Sequence, residues 1–188
     1  KLQRDERYKV VFVFFFTAII YHIAHIVKAR NLHAPRHITF SGNGAKVVRI
    51  LTPDNNTLSD FAKLIFEQVL GYAYEPDGLD IILQDNPKEA TCKGGLVMHS
   101  ASEVDFSDIE RKKVVLKAVD NATFVAGERY SAIRNAAYVE QVRRQVMDFI
   151  DFFIGLNDTF SFVNKFGASR DTLSSISHCC GDILTFID

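Results

Sequence analysis

The chain has 188 residues, of which 47% are hydrophobic and 24% are charged, and its formal net charge is −1. This length allows one substantial core, and the near-neutral balance excludes a general electrostatic attraction to nucleic acid. The three cysteines, Cys92, Cys179 and Cys180, are odd in number, and the adjacent pair is poorly placed to form a disulfide. A reducing, cytoplasmic setting is therefore predicted.

The apolar segment of residues 10–27 reaches the lower length limit for crossing a bilayer. Thr17, Tyr21, His22 and His25 interrupt it, and imidazole groups are costly in hydrocarbon. The prediction is a buried helix from about Asp5 to Arg30, with a membrane-anchored adaptor kept as an alternative. The chain begins at Lys1 without a leader-peptide pattern, and we expect it to be a fragment of a longer protein.

Two short apolar segments further along the chain predict strands, and helical patterns lie between them. Residues 37–41 read as a buried strand, followed by a helix that ends near Pro53. Residues 57–70 have helical apolar spacing. Gly71 follows directly, at the position where helices commonly end with a residue in the left-handed conformation. The second strand covers residues 79–83. A helix follows to about Ser100, with Asn86 as its N-cap and Pro87 at its first position.

The second half of the chain predicts mainly helices. Residues 101–111 are acidic and linker-like, and residues 113–119 form a candidate strand. Residues 135–156 carry an apolar stripe at helical spacing, which Asn157 and Asp158 are expected to end. Ser169 can cap a last helix, whose predicted inward residues are Leu173, Ile176, Cys180 and Leu184.

A turn that ends in Gly-x-Gly and leads from a strand into a helix is a candidate anion site. Backbone N–H groups gather there beside the positive end of the helix dipole. Gly42 and Gly44 remove the Cβ atoms that would keep a ligand from the backbone, and Asn43 tolerates a left-handed conformation. The turn lacks the lysine of a Walker loop and the third glycine of the dinucleotide fingerprint. A tight turn without any ligand is the alternative.

Two stretches together resemble the actin, heat-shock chaperone and sugar-kinase ATPase superfamily. NPKEATCKGG at residues 86–95 is similar to its last shared motif, with Asn86, Pro87, Glu89, Ala90 and Gly94 in matching order. ITFSGNGAK at residues 38–46 looks like its adenosine motif. Asn43 replaces the second glycine of the usual pair, and Lys46 falls where the chaperones have an arginine.

The resemblance covers residues 8–100 and implies a fold, a site and a cofactor. It implies an α/β fold: a partial ribonuclease H-like (actin-like ATPase) lobe at 1–101, with a short parallel sheet flanked by helices, and a mostly helical extension at 102–188. It implies an adenosine-side wall for ATP with magnesium in the parent protein, with no nucleotide expected on the fragment. The implied contact residues are Ser41, Gly42, Asn43, Gly44, Ala45 and Lys46.

The phosphate-binding hairpins and catalytic acid of that superfamily have no counterpart in these residues. Phosphoryl transfer needs charge stabilisation on both sides of the phosphate, so the chain is not expected to be catalytic alone, although the parent is a candidate ATPase or phosphotransferase. The expected partners are a missing N-terminal lobe and a second copy or other protein bound through residues 102–188. Neither nucleic acid nor membrane is expected. The alternative function is a degenerate actin-like scaffold that binds proteins and no nucleotide.

Other chemistry-bearing residues have simpler explanations. His22 and His25 share a helical face without a nearby carboxylate or cysteine, which favours core histidines over a metal site. Three consecutive residues, His178 to Cys180, point in different directions on a helix and do not easily share one metal. Cys92 and His99 are about 10 Å apart along a helix, too far for direct proton transfer. The acidic residues near 105–110 are interpreted as a solvated loop.

Overall fold

A computed structural model of the protein describes residues 5–74, 78–84, 115–117, 123–125 and 136–185. The described part is a mixed α/β arrangement that consists mostly of helices. Its elements in chain order are α1 (Glu6–Ala29), β1 (His37–Phe40), α2 (Asn43–Leu51), α3 (Asn55–Leu70), β2 (Asp80–Leu83), β3 (Val115–Lys117), β4 (Thr123–Val125), α4 (Ala136–Phe160), α5 (Phe162–Phe166) and α6 (Arg170–Thr185).

Helix α1 forms as the sequence predicts and supplies one wall of the core. Asp5 is its N-cap, because the Asp5 carboxylate accepts a hydrogen bond from the Arg7 backbone N–H at 3.0 Å. Seven residues of one face are buried, and Thr17 among them satisfies its hydroxyl by donating to the Val13 carbonyl at 2.8 Å. The helix therefore belongs to the core of a folded body rather than standing alone.

The two predicted strands, β1 and β2, pair in parallel, but the predicted burial of β1 is wrong, because His37 and Thr39 are exposed and Ile38 and Phe40 are only partly buried. His37 lies opposite Asp80 and Phe40 lies opposite Leu83, so the carboxyl ends of both strands meet at one edge. Helices α2 and α3 form the crossover between them. Ser59 of α3 accepts a hydrogen bond from the Ile81 backbone N–H at 2.9 Å, which ties the crossover to the sheet. The fold thus brings residues 41–46 and 84 to the same edge.

Helix α3 begins and ends at residues suited to those positions. The Asp54 carboxylate accepts from the Asn56 and Thr57 backbone N–H groups, and the Thr57 hydroxyl and these amides lower the pKa of Asp54. Gly71 ends the helix in the left-handed region at φ 82°, and its N–H donates to the Glu67 carbonyl. The predicted cap at Gly71 is confirmed.

Aromatic side chains join the N-terminal elements to the C-terminal helices. Phe61 of α3 is fully buried, and its ring lies 4.8 to 5.4 Å from three rings of the later helices: Phe160, Phe162 and Phe166. Phe14 of α1 makes edge contacts with Phe149 and Phe153 of α4. One apolar core therefore includes residues from both halves of the sequence.

Two details of the second half differ from the prediction. Helix α4 does not end at Asn157 but continues to Phe160, because the Phe160 ring gains a contact with buried Phe61. Asn157 instead supports the next element, since its Oδ1 accepts from the Phe162 N–H at 3.1 Å. The strand predicted at 113–119 is present as β3. Its antiparallel partner β4 was not predicted.

The last helix follows its predicted cap. The Ser169 hydroxyl accepts a hydrogen bond from the Thr172 N–H at 3.3 Å, and Leu173 and Ile176 pack against the core. The side chains of Cys180 and Leu184 lie outside the described residues, as does the helix predicted at 86–100. The division of the chain at residue 101 stays a prediction.

Candidate functional site

The turn between β1 and α2 has a backbone shape that requires glycine. Gly42 has φ 70° and ψ −163°, a combination that L side chains avoid. A Cβ atom added at Gly42 or Gly44 would meet no atom within 4 Å, so space does not demand glycine at either position. The positive φ explains why residue 42 is glycine. The empty space beside Gly42 and Gly44 would let a ligand approach the backbone of the turn.

The start of α2 offers hydrogen-bond donors and positive charge. The first N–H groups of a helix lack partners within the helix, and the N-cap residue, Gly42, has no side chain that could cap them. The first turn contains no acidic residue, and Lys46 follows with its side chain exposed. Ala45 is fully buried and anchors this end of the helix to the core. The turn is therefore suited to an anionic group.

Two residues that the sequence analysis missed lie at this edge, one directly after β2 and one on α2. The Gln84 backbone N–H donates to the Phe40 carbonyl at 3.3 Å, which places Gln84 directly beside the end of β1. Its side-chain Oε1 is buried and has no hydrogen-bond partner within the described part of the chain. Arg49 of α2 donates from Nη2 to the Leu83 carbonyl at 3.1 Å. Only the parallel pairing reveals that these residues share an edge with the turn.

The Gln84 oxygen, which has no partner among the residues that the structure describes, needs an explanation. A buried acceptor without a donor costs about 1–3 kcal/mol, and most such atoms in folded proteins are satisfied. A ligand with an N–H or O–H group at this edge would satisfy it. The edge thus combines donors for an anion with one acceptor for a donor group.

The six predicted contact residues form one continuous stretch at this edge. Ser41, Gly44 and Lys46 are exposed, Gly42 is half-buried and Ala45 is buried. The side chain of Asn43 is not among those described. Residues 86–95, which carry the second half of the resemblance, lie outside the described residues, so their predicted position beside the turn stays a prediction.

The predicted core histidines occupy two different environments. His25 is partly buried, with its ring 4.3 Å from that of Tyr21, and burial lowers the pKa of His25, reinforced by the charges of Lys28 and His22. His22 is exposed. Among the described residues, no three His, Cys, Asp or Glu side chains are grouped so that they could hold a metal ion.

A concave surface lies between the C-terminal helices, and no residue of the turn lines it. It encloses about 310 Å³, and Asn157, Ser161 and Arg170 are among its lining residues. Ser161 has φ 54°, in the left-handed region, where a serine is uncommon. The Ser161 carbonyl accepts hydrogen bonds from the backbone N–H groups of Asn164 and Lys165, and it therefore stabilises the junction between α4 and α5. We assign this surface no ligand.

Helix α1 is long and apolar enough to cross a membrane by length and composition alone. It lies near the beginning of the chain, and 39% of its most apolar window is buried within the protein. The core helix of a soluble protein meets the same criteria, so the finding is weak evidence for a membrane span.

Comparisons with known proteins show a distant similarity. No family model matches the chain, and no solved structure matches it. The chain is similar to a subunit of the ion-translocating oxidoreductase complex of Pasteurella multocida (strain Pm70), with 27% identity over 118 residues. The matched region is 56% of this chain and 14% of that protein, so the chain spans a small part of the relative's length.

These comparisons overturn the predicted family and function. The assignment to the actin, chaperone and sugar-kinase ATPase superfamily is wrong, because the similarity found is to a protein of an oxidoreductase complex. The predicted function, an adenosine-side wall of an actin-like ATPase, is therefore wrong. The alternative function, a degenerate actin-like scaffold, is wrong for the same reason. A strand, a Gly-x-Gly turn and a helix suit many α/β proteins, which is why this short pattern did not identify the family. The α/β class itself does not depend on that assignment.

Proposed function

We propose that the chain binds a phosphate-bearing small molecule at the carboxyl edge of its parallel strands, between the β1–α2 turn and Gln84. The buried Oε1 of Gln84, which has no hydrogen-bond partner among the described residues, beside a helix start whose N-cap residue is Gly42, is the observation that supports the proposal. In open α/β sheets, ligands commonly bind outside the carboxyl ends of the strands.

The chemistry of the edge defines the kind of ligand. The N–H groups near Gly42 and Gly44 and the ammonium of Lys46 suit phosphate oxygens. The Gln84 oxygen suits an amino or hydroxyl group on the same ligand. A nucleotide has both kinds of group, and ATP with magnesium is the cofactor proposed for a longer protein that contains this chain. The chain alone is proposed to bind weakly and to perform no catalysis.

Amide chemical shifts provide a test that detects weak binding. On titration with ATP and magnesium, the amide signals of Gly42 and Gly44 are expected to move in a saturable manner. The amide of Gly71 is a matched control, because it also has a positive φ but already donates to the Glu67 carbonyl. Unchanged signals for Gly42 and Gly44 at millimolar nucleotide and at millimolar inorganic phosphate would refute the proposal.

Two variants separate the two halves of the proposed site. Lys46→Ala is expected to weaken binding of both inorganic phosphate and nucleotide, because it removes a charge near the anion. Gln84→Leu is expected to weaken nucleotide binding while leaving inorganic phosphate unaffected, since phosphate alone does not need the acceptor. Equal effects of Gln84→Leu on both ligands would remove the proposed role of its oxygen.

Location and macromolecular partners are also proposals. We propose a cytoplasmic location on the basis of cysteine usage, and a protein contact through residues 102–188. A second candidate function, favoured by the similarity to the Pasteurella multocida protein, is that of a component of an ion-translocating oxidoreductase complex. Affinity purification of the tagged chain from its own cells tests this candidate. The absence of any other member of such a complex would count against it.

A further inference from the structure

The peptide group between Leu83 and Gln84 is held from two sides. Its N–H, which belongs to Gln84, donates to the Phe40 carbonyl at 3.3 Å. Its carbonyl, which belongs to Leu83, accepts from Nη2 of Arg49 at 3.1 Å. Phe40 is the last residue of β1, and Arg49 lies on α2. One peptide group at the end of β2 is therefore bonded to both elements that flank the β1–α2 turn.

The planarity of the peptide transmits this restraint to Gln84. The plane of a peptide group includes the Cα atom of the residue that follows, which here is Gln84. The described residues contain no cis peptide bond, so the carbonyl and the N–H point in opposite directions. The two hydrogen bonds thus hold opposite edges of one plane. The Cα atom from which the Gln84 side chain extends is fixed relative to both β1 and α2.

The bond from Arg49 is the stronger of the two restraints. At 3.3 Å, the bond between Gln84 and Phe40 is longer than the usual range of about 2.7–3.2 Å for such bonds. The bond from Arg49 falls within that range and carries the guanidinium charge, which strengthens a hydrogen bond. It is also partly buried, which reduces competition from water. Loss of Arg49 should therefore release the Leu83–Gln84 peptide.

We propose that Arg49 is a positioning residue that sets the selectivity of the ligand site, because it holds the Leu83–Gln84 peptide so that the Gln84 oxygen faces a ligand at the β1–α2 turn. This inference rests on the proposed function. It adds that Arg49 makes the site prefer a phosphate-bearing ligand with an amino or hydroxyl group over inorganic phosphate. Polar groups that select a ligand act well only when hydrogen bonds behind them fix their position.

The position of Arg49 on α2 favours this indirect role. Its Cα lies about 9 Å along the helix axis from that of Asn43, the first residue of α2. An anion held by the first N–H groups of α2 is therefore remote from the Arg49 backbone. The bond to the Leu83 carbonyl directs the guanidinium toward the end of β2.

Binding of two ligands to Arg49→Met tests the selectivity. The amide signals of Gly42 and Gly44 report titrations with ATP plus magnesium and with inorganic phosphate. Loss of the charge-assisted bond is expected to raise the dissociation constant for ATP about three- to tenfold and that for phosphate less than about twofold. Arg30→Met is the matched control, because Arg30 is also exposed but belongs to neither α2 nor the strands. It should change neither constant.

A double variant separates positioning from a purely structural or direct electrostatic role. If Arg49 acts through Gln84, adding Arg49→Met to Gln84→Leu should not weaken ATP binding further. Additive losses would overturn the inference, as would equal weakening of ATP and phosphate by Arg49→Met. Circular dichroism checks that the variants fold. Where Arg49→Met lowers the helix content, Arg49→Gln replaces it, since it retains a shorter, neutral donor, and the same selective loss is expected.

The ligand-free protein provides a second measurement. The side-chain amide signals of Gln84, assigned by their absence in Gln84→Leu, should move in Arg49→Met before any ligand is added. Unchanged signals would overturn the inference. A wild-type chain that binds neither ATP nor phosphate would refute the ligand site itself. If the wild type binds both and Gln84→Leu selectively weakens ATP binding while Arg49→Met does not, the site stands and only the role of Arg49 is refuted.

Discussion

At the scale of single residues, side chains of one type differ widely in burial. Leu58 in α3 is fully buried, whereas Leu32, just beyond α1, is 53% exposed. Tyr74 is partly buried, and its hydroxyl donates to the Pro35 carbonyl at 3.2 Å. This burial raises the pKa of Tyr74 to about 12, so position also changes the chemistry of a side chain. The cost of a substitution therefore depends on position more than on residue type.

The two leucines provide a matched test of this difference. Leu58→Ala is expected to lower the free energy of unfolding by about 2–5 kcal/mol, because it leaves a cavity in the core. Leu32→Ala should change that free energy by less than about 0.5 kcal/mol. Urea denaturation followed by far-ultraviolet circular dichroism measures both. Similar losses for the two variants would show that the assigned core is wrong.

His25 predicts a pH dependence of stability with a definite sign. Because burial lowers the pKa of His25 in the folded state, the unfolded chain binds a proton first as pH falls. The stability contribution is complete above the unfolded pKa of about 6.5 and decreases as pH falls through the folded value. The loss of unfolding free energy between pH 7.5 and 5.5 should be smaller in His25→Gln than in wild type. An equal loss in both proteins would contradict this assignment.

At the scale of elements, residues suited to helix ends set the bounds of α3 but not the end of α4. Asp54 and Gly71 begin and end α3 as their residue types predict. Helix α4 instead extends past Asn157, because Phe160 is packed against Phe61. A tertiary contact thus outweighed a local signal that favours helix termination.

Two glycines test the difference between a cap and a helix interior. Gly71→Ala is expected to lower the free energy of unfolding by about 1–2 kcal/mol, because φ 82° is strained for alanine. Gly155→Ala in the interior of α4 should raise it by about 0.5–1 kcal/mol. Neither added Cβ would meet an atom within 4 Å, so the comparison isolates backbone conformation. Thermal denaturation should show shifts of opposite sign, and shifts of the same sign would disprove the explanation.

At the scale of the whole molecule, one core links the first and last thirds of the chain. The buried set includes Phe16 and Phe61 from the first half and Phe153, Leu156 and Phe162 from the second. Tyr21 of α1 contacts Phe149 and Phe152 of α4 at 5.2 and 4.7 Å. Separation of these elements would expose several aromatic rings to water at once.

The shared core predicts cooperative unfolding. Hydrogen exchange of the most protected amides in α3 and α4 should report the same opening free energy, within about 0.5 kcal/mol, because neither helix keeps its core contacts alone. A urea series followed by mass spectrometry of peptides from both helices provides the measurement. Two separate transitions would instead support independent units divided near residue 101.

Sequence alone determined much of the described fold. Apolar spacing predicted the extent of α1 and the positions of the two strands. Asp and Gly at its ends predicted α3, and the glycine at φ 70° allowed the turn after β1. These are local preferences, which act between neighbouring residues. The same local pattern did not identify a family, because a strand followed by a glycine turn is common to unrelated proteins.

Only the tertiary structure decided which distant residues meet. Parallel pairing placed Gln84 beside the turn, about forty residues from Gly42, and brought the Leu83 carbonyl within reach of Arg49. Packing against Phe61 extended α4, and the burial of one side of α1 left the opposite side exposed. Such outcomes depend on contacts between elements far apart in sequence, which no local propensity encodes.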